Sequence, residues 1–220
     1  MIKNTFKKIL PKHILTFYHN AKSFLSYVKF RIKLYLFRLQ RREISIVVGA
    51  ADNKYDLWIS TNYPWFDISK IKSFKKYFAK REVSKILAEH VFEHLSEEDG
   101  LNSIKNLKSI LKIKGKIRIA VPDGYNPDKS YINHVKPGGV GPGADDHKVL
   151  YNYHTIKKLF DNDFKIKLLE YFDENGNFIS KNWINDQKNG FIKRSRFNDK
   201  RNTKDKIFFN SIILDAELLK

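Results

Sequence analysis

The chain reads as an open α/β sheet with flanking helices, preceded by a basic amphipathic helical segment. Three observations lead there. Strand-like and helix-like stretches alternate from residue 44 to 215, the pattern of a largely parallel sheet with crossover helices. The chain has 220 residues and 42% apolar content, enough for one domain with a core plus an appendage. Its charge is partitioned: the net is +18, yet residues 1–42 hold 11 Lys/Arg and no Asp/Glu, leaving 31 basic and 24 acidic residues for the rest.

In the basic segment, 1–42, Ile9, Leu10, His13, Ile14, Phe17 and Tyr18 recur at helical spacing, and Pro11 breaks or starts a helix. Phe24, Leu25, Val28, Ile32, Tyr35, Leu36 and Leu39 repeat the pattern. Such a helix can pack on a core with a solvated basic face, or lie on an anionic membrane surface. Nucleic acid is disfavoured as a partner, because no nucleic-acid motif accompanies the charge. The domain, 43–220, opens with "ISIVVG" (44–49), an apolar run ending in glycine, as a buried strand would. "DLWIST" (56–61) is a second strand, Ile68–Lys80 a helix, and "VSKILAEH" (83–90) a third strand. Ser96 is an N-cap, followed by Glu97, Glu98 and Asp99 where the helix dipole favours anions. Leu101, Ile104, Leu107 and Leu111 continue that helix. "GKIRIAVP" (115–122) alternates as a strand; a helix near 154–162 and strands at 165–172 and 207–215 follow. The last two strands can pair antiparallel across the long insertion between them.

The absence of cysteine excludes disulfides and thiolate zinc sites and fits a reducing, cytoplasmic setting. No apolar run is long enough to span a bilayer, and no uninterrupted signal-peptide core is present. The expected location is cytoplasmic, or peripheral on the inner membrane face.

"LAEHVFEHL" (87–95) contains His90, Glu93 and His94 as H-x-x-E-H. On one helix the histidines would lie a turn apart and could share a zinc ion. The strand reading of 83–90 and the cap at Ser96 argue against that, so no metal is expected. His90 instead ends a strand, where an open α/β sheet places its ligand crevice.

These residues carry a family resemblance. "ILAEHVFEHL" (86–95), "KGKIRIAVPDGYNPD" (114–128) and "VKPGGVGPGADDHKVLYNYHTIKKLF" (135–160) resemble a class I S-adenosylmethionine-dependent methyltransferase, of the short type associated with surface-polysaccharide biosynthesis. "LLEYFDENGNF" (168–178) and "GFIKRSRFNDKRN" (190–202) add to a likeness covering about 44–215. It implies a Rossmann-like methyltransferase sheet, S-adenosylmethionine as cofactor, and methyl transfer to a saccharide or other small polar acceptor. In such families E-H-x-x-E-H-L follows a core strand beside the cofactor. By that likeness Gly49, Ala50, Asn62, Asp67 and Glu89 bind the cofactor. The sequence departs from the pattern in places. Val47 and Val48 stand where an acid is usual, Ala50 and Ala51 follow Gly49, and Asn62 replaces the ribose-binding acid. The gap between Gly49 and the second strand is too short for a full helix. A non-catalytic methyltransferase-like scaffold in glycan assembly is the alternative.

His90 and Asp123 end two strands that can neighbour each other, and His147 follows a glycine-rich stretch that can fold back over them. These three form the expected acceptor side, with His147 as base and His90 positioning, an order that can be reversed. The loop 121–148 reads as a lid or binding loop. "KRSRF" (193–197) with Lys200 and Arg201 is a second basic cluster, a solvated surface or a clamp for an acceptor phosphate or carboxylate.

Overall fold

Ile46 and Val48 pack into one apolar cluster and Val47 into another. The same split separates Ile86 and Ala88 from Leu87, Ile119 and Val121 from Ala120, and Ile212 and Leu214 from Ile213. Period-two alternation over four strands is what a sheet buried on both faces imposes. The computed structural model describes residues 12–51, 53, 55–203 and 208–220. The expected helix start around Ile9 to Pro11, and residue 207 at the start of the expected last strand, lie outside them.

In chain order the elements are α1 (Lys12–Leu39), β1 (Ile44–Val48), β2 (Ile59–Ser60), α2 (Ile71–Tyr77) and β3 (Val83–Glu89). A 3₁₀ turn (Phe92–His94), α3 (Glu97–Ile110), β4 (Leu111–Pro122) and α4 (Lys129–Val135) follow. A second 3₁₀ turn (Ala144–Asp146), α5 (Tyr153–Lys157), β5 (Phe164–Phe172), β6 (Phe178–Ser180) and β7 (Ser211–Leu218) complete the chain. The seven strands form one sheet in the order β2-β1-β3-β4-β7-β5-β6. β2, β1, β3 and β4 are parallel, while β7 inserts antiparallel between β4 and β5. The expected antiparallel pairing of the late strands is present, with Leu168 opposite Leu214. From β1 the chain builds outward to β2 and then back across to β3, so the topological switch point lies between β1 and β3.

The described helices that join an apolar cluster all pack on one face of this sheet. Phe30, Leu34 and Phe37 of α1, Phe74 and Tyr77 of α2, Ile104, Leu107 and Ile110 of α3, and Ile156 of α5 share the larger cluster. The smaller cluster on the opposite face contains no helical residue; Trp58, Trp183 and Ile192 from irregular segments cover it.

Local signals explain most boundaries. The Ser96 hydroxyl accepts from Asp99 N–H at 3.1 Å and caps α3. α3 runs straight into β4, so that strand begins at Leu111, a buried residue, rather than at Gly115. β2 shrinks to two residues because it is an edge strand with a single partner, β1. α2 stops at Tyr77, since Phe78 turns extended to bury its ring. α4 and β6 are additions inside stretches read as loop. α4 is capped by Asp128, which accepts from Ser130 and Tyr131 N–H, and is anchored by buried Tyr131.

The segment 1–42 is not a free appendage at its C-terminal end. Beyond its core contacts, Lys33 Nζ donates to the Tyr55 and Asp56 carbonyls, and Arg38 forms a forked pair with Glu82 at 2.7 and 2.8 Å. No described helix is long and apolar enough to cross a membrane.

Candidate functional site

The chain turns at Gly49 with φ +63°, and a Cβ there would sit 2.6 Å from Val91 Cγ2. Both facts call for glycine. Ala51 also lies in the left-handed region, at φ +48°. Among the described residues no helix separates this turn from β2; Ala50 N–H donates to Thr61 O and Thr61 N–H to Val47 O, folding the strand end directly onto β2. Two cavities open on this turn. The first, about 520 Å³, is lined by Gly49, Asp67, His90, His94, Asp99 and Asp146 among others. The second, about 680 Å³, is lined by Gly49, Ala51, Glu89, His90 and the basic group Lys193, Arg194, Lys200 and Arg201. They share Gly49 and His90, at the carboxyl ends of β1 and β3. This is the crevice an open α/β sheet offers at its switch point.

The expected cofactor-side residues divide. Gly49 and Glu89 line the cleft, and Asp67 lines the first cavity. Asp67 Oδ1 accepts from Ser69 N–H and Oγ–H, at 2.9 and 2.8 Å. Glu89 Oε1 accepts from Arg194 N–H at 2.6 Å. Burial pushes the Glu89 carboxyl above its ordinary pKa, opposed by the Arg194 amide and the neighbouring His90 charge. Ala50 is buried in the smaller core cluster, so only its backbone is near the turn. Asn62 faces elsewhere. Its Oδ1 accepts from Ala51 N–H at 2.7 Å and its Nδ2 donates to Ser26 Oγ at 3.1 Å. The side chain is spent on fixing the turn against α1, beside a separate cavity of about 390 Å³.

The acceptor-side trio also divides. His90 belongs to both cavities, at φ +55°, uncommon for a residue with a Cβ. Its Nδ1 lies 2.9 Å from Glu93 Oε1 and its Nε2 3.0 Å from Ser211 Oγ. Ser211 can also donate to Arg194 O at 3.0 Å. A hydroxyl has one proton. Ser211 either donates to Nε2 of a neutral His90, or accepts from a protonated ring while giving its own proton to the Arg194 carbonyl; Glu93 lies near Nδ1 without an aligned hydrogen bond. Asp123 does not reach the cleft. It is fully buried; Tyr125 N–H donates to Oδ1, and Phe172 N–H and Asn210 Nδ2–H donate to Oδ2. The end of β4 is thereby tied to β5 and β7, and burial pushes its carboxyl up to about 6. His147 lies behind His94, their rings edge to face at 4.7 Å, and its Nδ1 is 2.6 Å from Val135 O.

Sequence reasoning passed over Ser211, which reaches the cleft from the last strand, while Lys193 and Arg194 of the basic cluster "KRSRF" do line it, from a distant loop. A strand-end serine carries no local signal. Among the second cavity's cations, Arg201 is forked onto Asp199 at 2.9 and 2.6 Å and stacks on Phe209.

No family model matches the chain, and no curated protein matches it. Solved structures similar to it include a SAM-dependent methyltransferase from Archaeoglobus fulgidus, with 16% identity, 88% of this chain and 93% of that one covered, and a TM-score of 0.43. A SAM-dependent methyltransferase from Thermotoga maritima has 9% identity, 92% and 95% coverage, and a TM-score of 0.44. A complex of the Trm112 methyltransferase activator with a methyltransferase from Haloferax volcanii gives 9% identity, 81% and 83% coverage, and a TM-score of 0.46. The fold assignment rests on the strand order and the crossover at β1.

Proposed function

We propose that the cleft binds S-adenosylmethionine and that the protein methylates a hydroxyl of a saccharide or other small polar acceptor. The observation that supports this most is the left-handed Gly49 turn at the switch point, shared by two adjoining cavities. The residues fit the cofactor. The Gly49–Ala51 backbone admits a close-lying group, and Asp67 and Glu89 bring carboxylates to a cation. When bound, the cofactor supplies an electrophilic methyl on a sulfonium. His90 then faces the acceptor. Its Nδ1 lies beside the Glu93 carboxylate, which leaves Nε2 as the nitrogen to take the hydroxyl proton, with Ser211 displaced or re-aimed to the Arg194 carbonyl. This reverses the order expected from sequence, because His147 lines neither cavity. Lys193, Arg194 and Lys200 favour an acceptor bearing phosphate or carboxylate, such as a nucleotide-sugar or an acidic glycan. Calorimetric titration with S-adenosylmethionine and its demethylated product tests the reading. Binding is expected, and Gly49→Ala should weaken it at least about tenfold while leaving the fold intact by circular dichroism. No heat at millimolar cofactor would favour the scaffold instead.

We also propose that α1 seats the protein on an anionic membrane. Phe30, Leu34 and Phe37 face the core, whereas nine large apolar residues of α1, Phe17, Phe24 and Tyr35 among them, are exposed. At 100° per residue the exposed set falls within an arc of roughly 120° on the side away from the core. Lys22 and Lys29 flank one edge of that arc, and Arg31 and Arg38 the other. An apolar stripe edged by cations on both sides suits an anionic lipid interface. Co-sedimentation with vesicles of phosphatidylserine and phosphatidylcholine should retain the protein at low salt and release it at high salt. Combined Phe17→Glu, Phe24→Glu and Tyr35→Glu substitutions should abolish retention. Indifference of the unsubstituted protein to these vesicles at low salt would refute the docking role.

A further inference from the structure

Three side chains that the sequence keeps apart meet beside the first cavity. Glu93 and His94 occupy the 3₁₀ turn after β3, and His147 follows the second 3₁₀ turn. The backbone clamps the two turns together, since Lys148 and Val149 N–H both donate to Glu93 O, at 2.7 and 3.2 Å. The three residues each present a ligand atom, all within 4.8 Å of one another, the one such group among the described residues.

The state of each donor matters more than their proximity. Glu93 is fully buried, and neither carboxylate oxygen accepts an aligned hydrogen bond. His90 Nδ1 is close to Oε1 at 2.9 Å, but off the direction of a hydrogen bond. A buried carboxylate short of donors is costly unless a cation meets it. The His94 Nδ1 is likewise buried without an aligned partner, with Asp146 Oδ2 at 3.3 Å. For His147 the tautomer is set. Val135 O can only accept, so Nδ1 carries the proton and the neutral ring's Nε2 keeps its lone pair. A backbone carbonyl holding the far nitrogen is the arrangement that orients metal-ligating histidines.

We propose that Glu93, His94 and His147 bind a divalent first-row transition-metal ion through two imidazole nitrogens and one carboxylate oxygen, with coordination positions left open. Two imidazoles select against magnesium and calcium, which prefer all-oxygen shells. Donors in a tetrahedral zinc site lie roughly 3.4 Å apart, and these three already sit within 4.8 Å of one another. Glu93 can serve the ion with Oε2 while Oε1 stays near His90. The ligands are not the H-x-x-E-H pair His90 and His94, whose spacing suits a helix that this turn does not form. The site stands whether or not the cleft transfers methyl groups.

The test uses the full, tag-free chain stripped with chelator. Titration with Co²⁺ should give visible d–d bands that saturate at one ion per chain and vanish on adding one equivalent of Zn²⁺. Excess Mg²⁺ should leave them unchanged. His147→Ala and Glu93→Gln should each weaken Co²⁺ binding by roughly 100-fold or more. His154→Ala, removing an exposed histidine paired with Glu174, should not. Bound Zn²⁺ should also raise the melting temperature of the wild type and not of His147→Ala. If Glu93→Gln fails to fold, the partly exposed His147 still carries the comparison. Absence of d–d bands, or bands that survive His147→Ala in a folded variant, overturns the proposal.

Discussion

On one face of the sheet, four helices bury leucine, isoleucine and phenylalanine side chains against β-branched strands. On the other, residues 181–203 lie across the sheet with little regular structure, and charged groups of the strands hold them. Arg118, on β4, is 6% exposed and forks onto Asp215 of β7 at 2.7 and 2.9 Å. Its remaining nitrogen donates to the carbonyls of Ile184 and Gly190, and Trp183 covers its plane. Glu170, on β5 and fully buried, accepts from Trp183 Nε1–H, Ser195 Oγ–H and Arg196 N–H. Burial raises its pKa, and those three donors oppose the rise. The helical face holds by area, which is tolerant of exact direction. The irregular face holds by directed polar bonds, each of which leaves a buried group unpaired if broken. The difference matters for the cleft, because Lys193, Arg194 and residues 198–201 line its second cavity and belong to the segment that the polar face holds.

The largest expected effect breaks that polar latch. Arg118→Ala leaves the Asp215 carboxylate and two carbonyls without their donor, and should cost about 3–5 kcal/mol in denaturant unfolding. Amide exchange across 181–203 should rise more than elsewhere. Leu107→Ala, in the fully buried helical face, should cost a comparable 2–5 kcal/mol. There, however, exchange at 181–203 should change only in step with global stability. Replacing the pair together, Arg118→Met with Asp215→Leu, should recover much of the global stability but not the local protection. If Arg118→Ala leaves 181–203 as protected as wild type, something other than this ion pair holds the segment.

The two faces were also unequally legible. The strands under the helices announce themselves through apolar runs such as "ISIVV", and α3 through the Ser96 cap and three acids. Arg118 in "KIRIA" reads as an outward polar residue of an alternating strand, because alternation cannot show that an irregular segment will cover it. Residues 181–203 have no periodicity, since their contacts are single tethers to distant strands. α4 hides behind Gly and Pro neighbours that read as turn. In the cleft, Gly49 and His90 were accessible because the ends of strands mark a switch point. Asn62 and Asp123 were chemically plausible, yet hydrogen bonds to the Ala51, Phe172 and Tyr125 backbone claim them. The cluster of Glu93, His94 and His147 depends on a contact across some fifty residues, which no local pattern encodes.

Asp123 sharpens the comparison, because it pits burial against hydrogen bonding at the end of the sheet where both faces meet the cleft. Three donors favour its charged form, but burial dominates and lifts the carboxyl from 3.8 to about 6. The folded protein therefore holds this proton more tightly than the unfolded chain does. Its contribution to stability is fully present below the unfolded value and is lost as pH rises to about 6. The total change is about 3 kcal/mol. Asp123→Asn isolates it. The amide keeps the shape and cannot titrate, and its NH₂ must face one of the three donors, leaving that donor unpaired. Wild type should therefore be more stable than Asp123→Asn near pH 4, and the advantage should shrink by up to about 3 kcal/mol by pH 7. Urea unfolding of both proteins at half-unit steps from pH 4 to 7 measures it. An advantage that grows with pH would mean that the amides of Tyr125 and Phe172 outweigh burial, and that this junction is stabilised as an anion.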